Sequence, residues 1–531
     1  MTSDLTQDPP AAAKPALEPL PQGTFLVAGV VVLGAIMSIL DVTVVSVALE
    51  TFQREFSATS AEVAWTMTGY TLALAAVIPL TGWAADRFGT KRLFMLAVLL
   101  FTLGSALCAT ASSLEMLVFY RVLQGLGGGM LMPLGMTIMT HKAGPQNVGR
   151  VMAILGIPMM LGPIGGPILG GWLVDAASWH WIFLVNVPIG VLTIVYALLV
   201  LPKDDVEPSE TFDFLGMLLL SPGLATLLYG VSSIPGAKQE EGTIWTFDVV
   251  AFTIIGALLV AAFVPWALAR RNKHPLIDLR LFKDRQMTVA VIAMALFAMA
   301  FFGAGLLFPL YFQQVLREDA LGSGLLLIPQ GVGAVLTMPI GGVLSDRIGP
   351  GKIVLTGIVL DTIGLAFFIN IGADPSTFRI LLGLFVMGLG MGLTMMPMFS
   401  AALATLRHEH IARGSTLLNV TQQVAASIGT AIFAVILTNE LAKGDQAAIG
   451  AAFAANEVDG KQGALEAIAA KFQVPLEQFE ALVAKGYAEI GGAFGVVFLI
   501  GTILVGLCLI PAFFLPRHKV APVDPAAMMG H

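Results

Sequence analysis

Fourteen times, this chain runs for about twenty residues or more with almost no ionisable side chain. Stretches 19–40, 63–85, 93–114, 122–141, 151–174, 181–202, 214–237, 249–269, 286–316, 320–345, 380–406, 414–439 and 490–516 contain no Asp, Glu, Lys or Arg, and 353–373 is broken only by Asp361. A helix crossing ~30 Å of hydrocarbon needs about 20 mostly apolar residues. Lipid offers no partner to an unpaired amide, so such segments must close their own hydrogen bonds as helices. Barrel strands of ~10 residues with alternating polarity are not found. Charge makes up 12% of the 531 residues, about half the share in a soluble domain. The reading is an all-α polytopic membrane protein with fourteen transmembrane helices. A net charge of −7 with no basic stripe excludes a nucleic-acid partner and leaves the lipid bilayer as the surrounding medium.

Lysine and arginine set the orientation. With the N-terminus inside, nineteen of the 28 fall on one face and eight on the other, with Arg121 left inside a span. Both termini are therefore expected in the cytoplasm of a multi-pass plasma or inner-membrane protein. Residues 1–23 hold five prolines and mixed charge without an apolar core, which predicts a disordered tail rather than a signal peptide. Residues 517–531 form a second cytoplasmic tail. The one long extramembrane segment, 443–486, has helical apolar spacing in GALEAIAAKF and PLEQFEALVAKGYAE. It reads as short amphipathic helices on the outer face, either docking a periplasmic or outer-face partner or merely looping. Cys108 and Cys508 both fall in spans and read as reduced packing residues.

An internal repeat organises the chain. GWAADRFGTKR recurs as GGVLSDRIGPGK, so that Gly82, Asp86, Arg87, Gly89 and Arg92 align with Gly342, Asp346, Arg347, Gly349 and Lys352. QGLGGGMLMP, beginning at Gln124, is echoed by MGLGMGLTMMP, beginning at Met387. Parallel repeats of six spans build one large class of transporter. The predicted organisation is a six-helix bundle over 24–202, two inserted helices with a cytoplasmic linker over 203–285, and a second six-helix bundle over 286–516.

No nucleotide or hydrolase signature is present. Gly351-Lys352 lacks the rest of a phosphate loop, the glycine runs at 125–129 and 388–392 fail GxGxxG, and HExxH and GxSxG do not occur. The HEH at 408–410 has the wrong geometry for a metal on a helix. The chain is read as no enzyme, with no cofactor and no metal. Work must then be driven by an ion gradient, and the charges at depth become the candidates. Asp41 and Arg121 lie at similar depths in their spans, and a charge there is costly unless paired or hydrated. A carboxyl that responds to a nearby guanidinium and to hydration is what proton coupling requires, though a static ion pair between two helices is the simpler reading. Gln124, one turn from Arg121, is placed to orient it. Asp361 reads as pairing locally with Thr362 or with a neighbouring helix, or as a second protonatable site. Prolines 158, 163 and 167 among glycines 156–171 predict a smooth, bent helix against which a neighbour presses. Trp65, Tyr70, Asn419, Gln422 and Gln423 are the candidate polar groups of a substrate cavity.

These motifs together resemble the major facilitator superfamily, in particular the 14-span drug:proton antiporters of the EmrB/QacA type. The first span carries LDVTVVSVALE (Leu40–Glu50), the loop GWAADRFGTKR, and the fourth span RVLQGLGGG from Arg121. The fifth span carries the antiporter pattern as Gly162, Gly166, Pro167, Gly170 and Gly171, with Ala153 at the first glycine, and WIFLVNVPIG and PLIDLRLFKDR also match. The resemblance implies a proton-coupled exporter of lipophilic or amphipathic compounds. It also implies a cytoplasmic latch at Gly82, Asp86, Arg87, Gly89 and Arg92, and a seal against leak at the fifth-span glycines. Export of one endogenous lipid or secondary metabolite is the alternative, and a non-transporting membrane receptor or scaffold a more distant one.

Overall fold

The computed structural model describes residues 20–144, 147–203, 211–318, 320–372, 375–403, 406, 410–444 and 476–516. Its long helices are α1 (Thr24–Val47), α2 (Ser60–Phe88), α3 (Thr90–Cys108), α4 (Leu114–Ala143), α5 (Val148–Ala176), α6 (Trp181–Val200), α7 (Phe214–Glu241), α8 (Phe247–Leu268), α9 (Arg285–Gln314), α10 (Leu321–Ile348), α11 (Pro350–Ala366), α12 (Thr377–Leu403), α13 (Ile411–Leu441) and α14 (Leu476–Leu507). Among the described residues, twelve helices are long and apolar enough to cross a membrane, two fewer than the fourteen spans read from the sequence. α5 and α11 are not among the twelve. α11 is 17 residues long, short of the ~20 that span hydrocarbon, and the side chains of α5 are described only in part.

Short polar residues start these helices by accepting the first free amides. Thr59 and Glu62 form a reciprocal capping box on α2, while Ser113, Thr246 and Asp284 cap α4, α8 and α9. Gly89 joins α2 to α3 at φ 92°, ψ 143°, and Gly349 joins α10 to α11 at φ 90°, ψ 146°. An L side chain would be strained in either joint, which explains a glycine at both copies of the loop motif.

The repeat is visible in packing. A side-chain carbon on Gly125 would lie 2.6 Å from the Tyr70 carbonyl, and one on its counterpart Gly388 would lie 2.0 Å from the Gln330 carbonyl. Gly127 likewise meets the Phe101 amide, as Gly390 meets the Asp361 amide, and Gly104 meets Gln124, as Gly364 meets Met387. α4 therefore nests against α2 and α3 through the same glycine positions by which α12 nests against α10 and α11. In lipid, close backbone approach through small residues supplies the packing that a hydrophobic drive supplies in water. Kink-permitting prolines repeat as well, with Pro79 and Pro339 inside α2 and α10, and Pro133 and Pro397 inside α4 and α12.

α7 and α8 pair with each other, and α7 leans on both α2 and α13. Asp213 anchors the base of this hairpin. Its carboxylate accepts hydrogen bonds from the Gly216 amide (2.9 Å), Trp266 Nε1 (2.7 Å), Asn272 Nδ2 (2.9 Å) and the Leu276 amide (3.3 Å). Residues 1–19, 445–475 and 517–531 lie outside the described residues, so the second predicted tail, most of the first and most of the predicted outer loop do too. The second amphipathic stretch of that loop is no separate helix: from Leu476 it runs unbroken into α14, because its apolar spacing continues into the apolar span.

Candidate functional site

Asp41 sits inside α1 with 1% exposure, and Arg121 and Gln124 on α4 are as deeply buried. Arg121 Nη1 donates to Asp41 Oδ2 and, at 2.7 Å, to Gln124 Oε1. Gln124 Nε2 donates to Asp41 Oδ1 and to Ser105 Oγ, each at 2.7 Å, and Asn186 Nδ2 reaches Asp41 Oδ1 at 3.4 Å. Arg121 Nε is taken by the Thr66 carbonyl at 3.0 Å, and the guanidinium lies 4.2 Å over the Tyr70 ring. Five helices, α1, α2, α3, α4 and α6, thus converge on one ion pair. Asn186 comes from a break in α6. A buried carboxylate is tolerable only when its charge is matched and its lone pairs are filled, and here both conditions hold.

Asp361 on α11 is the contrasting case. It is 1% exposed, its Oδ2 accepts from Thr394 Oγ1 of α12 at 3.3 Å, and its Oδ1 has no hydrogen-bond partner among the described residues. The pair is with a neighbouring helix rather than with Thr362, which bonds its own helix at Ile358.

The glycines of α5 meet α1 at four-residue intervals. Added side-chain carbons would strike Ile39 from Gly162 (2.0 Å), Thr43 from Gly166 (1.9 Å) and Val44 from Gly170 (3.1 Å), whereas one on Gly171 would meet nothing within 4 Å. The Pro167 side chain lies outside the described residues. Thr43 Oγ1 also donates to the Gly162 carbonyl at 3.1 Å.

A cavity of about 750 Å³ opens beside the other face of α1's end. Thr43, Ser46 and Val47 line one wall, Phe301, Phe302 and Phe308 of α9 another, with Gln330, Met391, Met395 and Thr430 completing it. Among the described residues, no Asp, Glu, Lys, Arg or His side chain lines it. The five sequence-derived cavity residues lie elsewhere, Gln423 half-buried on α13. Trp65 stacks on Tyr229 of α7 (5.4 Å), Tyr70 belongs to the ion-pair cluster, and Asn419 of α13 bonds the Ser415 carbonyl and Met136 of α4. Gln422 is half-buried on α13.

At the opposite end of the helices, two clasps hold the first group of helices to the second. Asp86 on α2 faces Arg413 Nε of α13 at 3.4 Å, with Gly82 allowing α13 to approach. Asp346 on α10 accepts from the amides of Gly149 (2.9 Å) and Arg150 (3.2 Å) at the start of α5, with Arg150 Nε at 3.5 Å. Of the other predicted latch residues, Gly89 forms the joint, Arg87 is half-buried and Arg92 is exposed. The neighbouring Lys91 ties α3 to the end of α6 through the Leu198 and Leu201 carbonyls. Hydrogen bonds to a charged group are worth about 1.5–3 kcal/mol each, more than one part-exposed ion pair. Asp346→Asn should therefore open this end more than Asp86→Asn, read as greater labelling of a cysteine placed between the two groups of helices. Equal labelling of the two variants would contradict the ranking.

A membrane-embedded helical protein with a buried ion pair in one group of helices, and a cavity against a second group clasped to it, has the parts of a transporter. The chain belongs to the Major Facilitator Superfamily, whose family model matches residues 31–430. It is 49% identical over 507 residues to the "Multidrug resistance protein B homolog" of Mycobacterium tuberculosis, covering 94% of this chain and 92% of that protein. To the "Multidrug export protein EmrB" of Escherichia coli K12 it is 30% identical over 411 residues, 77% of this chain and 79% of that one. Among solved structures, the fold is similar to the human organic anion transporter MFSD10 (TM-score 0.56, 15% identity, 91% of this chain and 100% of that one). The proton:xylose symporter XylE is comparable (TM-score 0.54, 14% identity, 93% and 96%).

Proposed function

We propose that this protein is a proton-coupled multidrug efflux antiporter of the inner or plasma membrane, exporting lipophilic and amphipathic compounds by alternating access. In this reading the chain crosses fourteen times, with both termini and the two clasps on the cytoplasmic side. One observation carries it: α1 bears the ion-pair cluster through Asp41 and the cavity wall through Thr43, Ser46 and Val47. A change in the charge of Asp41 therefore acts on the same rigid helix that touches the transported compound. Proton arrival at Asp41 releases Arg121, α1 shifts on the smooth glycine face of α5, and the clasps part so that the cavity faces the other side. The apolar lining, with Phe, Met and neutral amide or hydroxyl groups, suits amphipathic solutes better than sugars or phosphates, which need polar clamps.

The test is ethidium efflux from proteoliposomes under an imposed pH gradient. Efflux that collapses when the gradient is dissipated supports the reading. Flux of a single lipid or metabolite, with none of structurally unrelated drugs, would favour the narrow exporter. Absence of any flux from correctly folded protein would overturn transport.

A further inference from the structure

A second cavity, of about 400 Å³, lies at the clasp end between the base of α7 and the end of α8, far from the transport cavity. Its rim holds Arg271, Lys273 and His274, and its wall holds Phe212 and Trp266. Arg271 and Lys273 are exposed. Among the described residues, the one carboxylate in the lining is Asp213, which is 5% exposed and accepts four hydrogen bonds. The loop that carries the basic residues is fixed, because Arg280 Nη2 donates to the Ala269 carbonyl (3.2 Å) and the Asn272 carbonyl (2.9 Å). Beside the cavity, Phe214, Leu215, Leu218 and Leu268 are 43–62% exposed, an apolar surface running up the hairpin. Cationic side chains at the membrane surface above a lipid-facing apolar strip are the complement of a headgroup phosphate above its acyl chains.

We propose that this cavity binds an anionic phospholipid, with Arg271 and Lys273 holding the phosphate and the α7–α8 hairpin taking the acyl chains. α7 touches both α2 and α13, so a lipid seated here would brace the hairpin across the join between the two groups of helices. The inference does not depend on the transport reading, since binding can be measured without flux.

The test uses the full-length, delipidated protein in detergent, titrated with phosphatidylglycerol and, separately, with phosphatidylcholine, with bound lipid counted by native mass spectrometry. Each Lys or Arg near an anionic surface contributes about fivefold to binding. The double variant R271Q/K273Q should therefore bind phosphatidylglycerol at least tenfold more weakly than the unaltered chain. The control R270Q/K283Q removes two exposed charges from the same face outside the cavity and should bind normally. Equal losses in the two double variants would reduce the effect to surface charge and overturn the site. Equal retention of phosphatidylcholine, or displacement of phosphatidylglycerol by inorganic phosphate alone, would show that no anionic lipid is selected and would overturn it too.

Discussion

Asp41→Asn should bring gradient-driven efflux down to the passive leak while leaving drug binding intact. The amide keeps the shape and one acceptor oxygen and alters no side chain of the cavity wall at Thr43, Ser46 and Val47, but the charge that answers to a proton is gone. The substitution also leaves Arg121 buried without its counter-charge, and breaking a buried pair from one side costs about 3–5 kcal/mol. Loss of transport could then be blamed on loss of fold. The double variant D41N/R121Q separates the two, because it removes both charges and restores neutrality to the cluster. Thermal stability should recover in the double variant and efflux should not. If the pair serves only to pin α1 to α4, neutralising both members should return transport as well as stability, and that outcome would refute proton coupling at Asp41.

Gly388 is, with Gly429, a position where substitution should damage the fold most. A methyl there would sit 2.0 Å from the Gln330 carbonyl oxygen, and backbone cannot swing aside as a side chain can. α12 and α10 would have to part by more than 1 Å, against an overpacking cost of about 1–3 kcal/mol for an added methyl and more for a branched group. Gly388→Ala should lower the melting temperature measurably, and Gly388→Val should prevent folded protein from accumulating. Gly171→Ala, where a side chain would meet nothing within 4 Å, is the matched control and should leave stability unchanged. Equal effects at the two positions would show that the tight α10–α12 approach is not what holds the second group of helices together.

How much of this could be read from the sequence depends on how rare each signal is in its setting. A charge in an apolar span stands out, so Asp41, Arg121 and Asp361 could be picked by counting, and Gln124 by its spacing from Arg121. Their partners could not. Ser105, Asn186 and Tyr70 are neutral polar residues of a kind scattered through every span, and the Thr66 carbonyl that takes Arg121 Nε has no sequence signature at all. Tyr70 was equally compatible with a cavity wall and with a seat under a guanidinium, because only the third dimension says which face of α2 meets α4. The clasps show the same limit. Asp86 and Asp346 are marked by their repeated motif, but the groups that answer them, Arg413 on one side and the Gly149 and Arg150 amides on the other, are brought there by tertiary packing. The transport cavity was legible only as a composition, since its phenylalanines are indistinguishable in sequence from those facing lipid.

The paired glycine contacts also bear on the α7–α8 hairpin. A duplicated unit whose copies pack alike must keep the same up-and-down sense, and any helix added between them turns that sense over. One extra crossing would have set the second copy upside down relative to the first, placing Asp346 at the opposite end from Asp86. If the hairpin crosses twice, as proposed, the two turns cancel. Insertions at this joint are therefore viable only in even numbers. The hairpin is the smallest addition that parity allows, and its excision as a unit would leave the polarity of everything after Arg285 as it is.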